Sequence, residues 1–201
     1  MQPLEVVGAP YTIYIAAAGT AFPAIDEDPA VDWSLLGTSG TRSMGDGGVT
    51  INHEQDISPW TPAGATGPVK AFRTSESLTI TGEIADVSLE QYRELLNRNA
   101  VETTAPGAGA AGFRAMGLSR GLVITELSLL VRGEGLSPYG LTFNAQYEVP
   151  RCYEGGSPSV QFQKGEPAML AFEFVAMEDL DAASEDERFG RLIVQDEEPA
   201  A

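Results

Sequence analysis

Between Val69 and Asn97 the hydrophobic period of the chain changes once, from two to roughly three and a half, which fixes a strand followed by a helix. From Phe72 onward Leu78, Ile80, Gly82 and Ile84 share one parity, and Arg73, Ser75, Ser77, Thr79, Thr81 and Glu83 share the other. One face of the strand is therefore apolar and the opposite face polar. At Ser88 the spacing lengthens: Leu89, Tyr92, Leu95 and Leu96 fall three and four apart, on one helical stripe. Ser88 and Gln91 stand at capping-box spacing, Val87 and Tyr92 can form a hydrophobic staple, and Asn97 and Asn99 supply a stop. A helix of about nine residues is not stable alone in water, so its stripe must lie on something larger. The rest of the chain offers only sheet.

Residues 1–10, with Pro3 and Pro10, read as an extended arm, and Tyr11 to Ala17 as a strand rich in aromatic and β-branched residues. The acidic, proline-containing stretch 21–33 is a loop ending at Trp33, after which Ser34 to Leu36 can pair briefly with a sheet. Alternation resumes from Val49 to Ile57. Ser58, Pro59, Trp60, Thr61 and Pro62 then open a proline-rich loop that runs to about Gly67. Trp60 there either folds back on its loop or contacts another molecule. After the helix, residues 102–112 read as a flexible linker, and Gly121 to Val131 as a strand covered on both faces. Leu141, Phe143, Ala145, Tyr147 and Val149 alternate cleanly with Thr142, Asn144, Gln146 and Glu148. Val160 to Gln163 and Met169 to Met177 complete the strands. The segment from Glu178 is strongly acidic and ends in an acidic tail, 195–201, in which the residues after Gln195 are expected to be disordered. Seven or eight strands with Gly/Pro turns and one helix predict a single mainly β (α+β) domain, an antiparallel sandwich or barrel with one flanking helix.

The chain has 201 residues and a formal charge of −17, from 29 acidic against 12 basic residues. That surface repels phosphate and argues against nucleic-acid binding. The first basic residue is Arg42, so the start lacks the charged region of a secretory signal, and no stretch approaches a membrane span. Cys152 is the single cysteine, which excludes an internal disulfide and fits a cytoplasmic folding environment.

Patterns suggestive of chemistry lack their required context. Gly117-Leu118-Ser119-Arg120-Gly121 matches a nucleophile elbow, yet that device needs a strand before the serine and a helix after it. The sole histidine, His53, precedes Ser119 in the chain, contrary to the order of that fold. Gly107 to Gly112 matches G-x-G-x-x-G without a βαβ frame. One histidine and one cysteine cannot build a zinc site, and Asp26, Asp28 and Asp32 do not keep calcium-loop spacing. No catalytic residue, metal or cofactor is expected.

The succession W-S-L-L-G at 33–37, V-T-I-N at 49–52, the proline-rich loop, S-L-T-I-T-G-E-I-A-D-V-S-L-E-Q-Y-R-E-L-L at 77–96, and the late F-E-F-V-A-M-E-D-L strand followed by R-F-G resembles the major tail tube proteins of long-tailed bacteriophages. The likeness covers most of residues 11–194 and rests on order and pattern. It implies a structural virion protein, made in the host cytoplasm, whose hexameric rings stack into a tube and meet other phage tail proteins. DNA would pass without specific binding, and no membrane is involved. Long loops and terminal arms bridge rings in such proteins, which makes Ser58 to Pro62 a candidate subunit contact. The polar parity Ser75, Ser77, Thr79, Thr81 and Glu83 becomes a candidate lumen face, where like charge keeps a phosphate polymer from sticking. Rival readings are a tail terminator, a capsid decoration protein, and a carbohydrate-binding module using Trp33, Trp60 and Tyr139 as stacking platforms.

Overall fold

The computed structural model describes residues 11–198. It is mainly β: a large antiparallel sheet, a small two-stranded sheet and one short helix. The large sheet contains β1 (Thr12–Ala17), β2 (Ser34–Leu35), β3 (Met44–Trp60), β4 (Lys70–Ile84), β7 (Leu127–Gly133), β8 (Ala145–Glu154), β9 (Leu170–Ala176) and β10 (Arg191–Val194). The helix α1 spans Leu89–Glu94, and the small sheet pairs β5 (Val101–Thr104) with β6 (Phe113–Met116). Strand order is β2-β1-β7-β8-β9-β4-β3, and β8 divides its second edge: Ala145 to Glu148 pair with β10, Cys152 to Glu154 with β9.

The apolar parity of β4 meets the core as its period predicts: Leu78, Ile80 and Ile84 are buried with Ile13 and Ile15 of β1, Leu129 and Val131 of β7, and Phe172 and Phe174 of β9. Gly82 belongs to the same parity. A Cβ there would lie 2.6 Å from the Phe172 ring, so the glycine leaves room for the aromatic group across the ladder. Leu95, just beyond α1, is buried in the same cluster, with Val87 and Tyr92 packed against it. The helix is shorter than predicted, at six residues, and its capping box does not form. Ser88 makes no side-chain cap. Gln91 instead accepts from the Gly37 N–H (2.9 Å) and donates to the Leu35 carbonyl (3.3 Å), tying the helix to the segment after β2. The cap is supplied from Asp86, whose carboxylate accepts from the Ser88 N–H (3.0 Å), the Thr38 N–H (3.0 Å) and the Thr38 hydroxyl. Burial alone would raise the Asp86 pKa, but these hydrogen bonds outweigh it and lower it to about 2. The helix ends with Leu95 as its C-cap, and the turn after it places Asn97 (φ 61°) and Arg98 (φ 57°) in the left-handed region, where asparagine is tolerated.

Several boundaries differ from the sequence reading. Residues 102–112 are not a plain linker: β5 and β6 form a hairpin whose tip is the glycine-rich 107–112 stretch. The strand expected from Gly121 begins only at Leu127, and Leu122, Val123 and Ile124 are exposed. Asn97 and Asn99 hold this irregular segment, Asn97 donating to the Arg120 and Val123 carbonyls at 2.8 Å and Asn99 to those of Gly117 and Ser119. Val160 forms a single bridge to Leu170 in place of a strand. Leu141 and Phe143 lie outside β8, and Gln146 and Glu148, expected in water, are buried. The acidic loop before Trp33 lies against their face, and Arg191 of the neighbouring β10 reaches Glu148. Gln146 donates to the Pro23 carbonyl (3.1 Å), and Arg132 donates to the carbonyls of Ile25 (3.0 Å) and Glu27, while Glu148 pairs with Arg191 (2.7 Å). The Gln146 amide N–H and the terminal guanidinium N–H groups of Arg132 thus meet loop carbonyls, while Gln146 Oε1 and Arg132 Nε are buried with no hydrogen-bond partner among the described residues. The N-terminal arm 1–10 and residues 199–201 lie outside the described residues. Gln195, the residue before the expected disordered stretch, is buried and receives the Ser137 hydroxyl on its carbonyl (2.6 Å).

Candidate assembly surface

β3 and β4 are much longer than the body of the sheet needs. Their ladder leaves the core after the His53↔Leu78 pair and continues from Glu54↔Ser77 to Trp60↔Lys70. At about 3.4 Å per residue this is an arm roughly 20 to 25 Å long. All of Asn52 to Trp60 and Lys70 to Glu76 are exposed. The proline-rich loop is correspondingly shorter than its sequence suggests. Ser58, Pro59 and Trp60 belong to β3, and Thr61 and Pro62 begin the turn, closed by the Ala65 N–H donating to the Pro62 carbonyl (3.0 Å). Pro59 is accommodated because β3 is an edge strand, where a missing N–H removes no ladder bond.

A bulge between Asp56 and Ile57 reassigns the faces. Proximal to it, Ser75, Ser77, Thr79 and Thr81 lie beside Asp56, Glu54, Asn52 and Thr50, and the face continues across β9 through Val175, Glu173 and, opposite Glu83, Ala171. Ser75 donates to Asp56 (2.8 Å) and Asn52 to Glu54 (2.8 Å), so neighbouring polar groups satisfy one another. Beyond the bulge, β4 changes parity at Thr74, and Phe72 and Lys70 join this same face with Ser58 and Trp60. The Lys70 ammonium lies 5.0 Å from the Phe72 ring centroid. Arg73 takes the opposite face, bonded to Gln55 and Glu76, both at 3.0 Å. The two candidate residue groups, 58–62 and the 75–83 parity, are therefore brought onto one hairpin. The sequence contains the signal for this, an acid-poor apolar extension flanked by two alternating runs. The intervening prolines obscure it.

Trp60 is 55% exposed and Phe72 49%, whereas Trp33 is buried against Phe22 and donates from its indole to the Ala21 carbonyl (3.1 Å). Trp33 therefore has no free ring face for stacking on a ligand. Ser119 sits in the irregular segment after β6, its hydroxyl accepting from the Gly121 N–H (3.3 Å), while His53 lies on the arm. Cys152 is buried, and burial pushes its thiol up to about 12, which leaves it unreactive. No group of three or more His, Cys, Asp or Glu side chains among the described residues is placed to hold a metal ion. No described helix is long and apolar enough to cross a membrane. No family model matches the chain, and none of the curated proteins compared with it is significantly similar in sequence.

Proposed function

We propose that this chain is a structural subunit that polymerises as stacked hexameric rings into the tail tube of a long-tailed phage, its large sheet curling round the core as a sandwich or barrel. The arm carries the reading. An isolated two-stranded ribbon that exposes Ile57, Trp60, Val69 and Phe72 gains nothing for the monomer, because it buries no core. It gains a role when another copy covers it. The 17-residue β3 is also the free edge of the sheet, a row of backbone donors and acceptors suited to pairing between subunits. The polar face that continues from the arm across β9 carries Glu54, Asp56, Glu83 and Glu173, and a wall of that charge would let DNA slide past.

Negative-stain electron microscopy of the purified chain tests this. Rings or tubes are expected near neutral pH, favoured by high salt that screens the net charge. Monodisperse small particles across a range of salt at tens of micromolar would overturn it.

A further inference from the structure

A cleft of about 630 Å³ opens beneath the base of the arm. One wall is the arm's inner face, His53, Arg73 and Glu76; the other is Glu178 with the 185–192 stretch. Its three cations are already paired within the chain: Arg73 with Glu76 (3.0 Å), Arg188 with Glu185 (3.4 Å) and Arg191 with Glu148 (2.7 Å). Glu178 and Asp186 have no ion-pair partner among the described residues, and both are exposed beside Phe189 and Leu192. The cleft therefore combines uncompensated negative charge with an apolar wall.

The distal arm has the complementary character. Residues 57–72 contain no acidic residue in a chain of net charge −17, and they carry Lys70. Lys70 has no ion-pair partner among the described residues and lies beside the exposed rings of Trp60 and Phe72. An arm cannot reach its own cleft. From His53↔Leu78 to Trp60↔Lys70 the ladder runs roughly 20 to 25 Å away from it.

We propose that the distal arm of one copy seats in the arm-base cleft of a second copy, with Lys70 against Glu178 and Asp186 and with Trp60 and Phe72 against Phe189 and Leu192. This rests on the self-assembly reading and specifies its contact. Arm and cleft are different surfaces, so the interface is heterologous, and repetition closes a ring or extends a filament according to the rotation between copies.

Charge exchange tests the pairing. Lys70→Glu and the double variant Glu178→Lys/Asp186→Lys are each expected to raise the concentration needed for assembly about tenfold at low salt, measured by sedimentation. Combining all three substitutions is expected to restore assembly to within about threefold of wild type. The four proteins should share one melting curve, because the changed side chains are exposed. If a charge reversal disturbs the fold, Lys70→Gln and Glu178→Gln/Asp186→Asn provide the same comparison without reversal, each expected to weaken assembly. Wild-type assembly that neither partner's substitution weakens, or that the combination fails to restore, overturns the arm-in-cleft contact and leaves the self-assembly reading standing. A wild-type chain that stays monomeric at every salt concentration overturns both.

Discussion

Asp86 is a single carboxylate on which three hydrogen bonds converge, two from Thr38 and one from Ser88. It joins the turn at Thr38, just before a 3-10 turn at Gly40–Ser43, to the start of α1. Its pKa of about 2 lies below the ordinary 3.8, so the unfolded chain takes up the proton first as pH falls. The associated stability is complete above about pH 4 and is lost as the pH drops toward 2. Asp86→Asn should cost about 1 kcal/mol near neutral pH, a modest figure because the group is only partly buried, and should flatten the acid limb of the stability curve. Urea melts of both proteins between pH 2 and 7 measure this. Individual residues also mark the reach of sequence reading. Leu78, Ile80 and Ile84 declare their burial by period alone, because one face of β4 is in oil and the other in water. Gln146 and Glu148 have the same alternation and are nonetheless buried, since their cover is a loop contributed by residues 22–28 through backbone carbonyls, which have no sequence signature.

At the level of elements, β3 and β4 combine two environments in one ladder. Up to the His53↔Leu78 pair they are part of the body; beyond Ser77 both strands are exposed on both faces. Replacing residues 57–73 with a two-residue Asn-Gly turn should leave the melting temperature within a few degrees, because the deleted residues bury no core. The same variant should fail to form rings or tubes. A large fall in melting temperature would instead make the distal arm part of the subunit's own stability. The helix and the central strand were readable from the sequence because each has a long, regular apolar stripe. The β5–β6 hairpin was not, since alanine and glycine at its tip show no alternation and its four-residue strands bury almost nothing. The apolar run 121–126 misled for the converse reason: it looks like a buried strand, yet Leu122 is fully exposed and the segment is held by Asn97 through its backbone.

For the whole molecule, the proposed tube would place many copies of one acidic face around a channel. Thr79→Lys/Thr81→Lys should fold and assemble, since both positions lie on the polar parity, yet would line each ring with positive charge. Tails containing it should eject DNA more slowly at low salt and recover as salt rises, measured as ejection rate with tail integrity checked by microscopy. A wild-type rate would place the face outside the channel. The arm also has a consequence in time. A ribbon of two strands without a core is marginal in water, so in a lone subunit its backbone amides should exchange with deuterium far faster than those of β7, which is buried along its whole length. Once neighbours clamp it, that exchange should slow sharply. The first few subunits to meet would bear the ordering cost of a loose arm with few contacts to offset it, whereas a subunit joining an existing edge finds its docking surface already rigid. Growth should then show a lag that vanishes when preformed fragments are added as seeds.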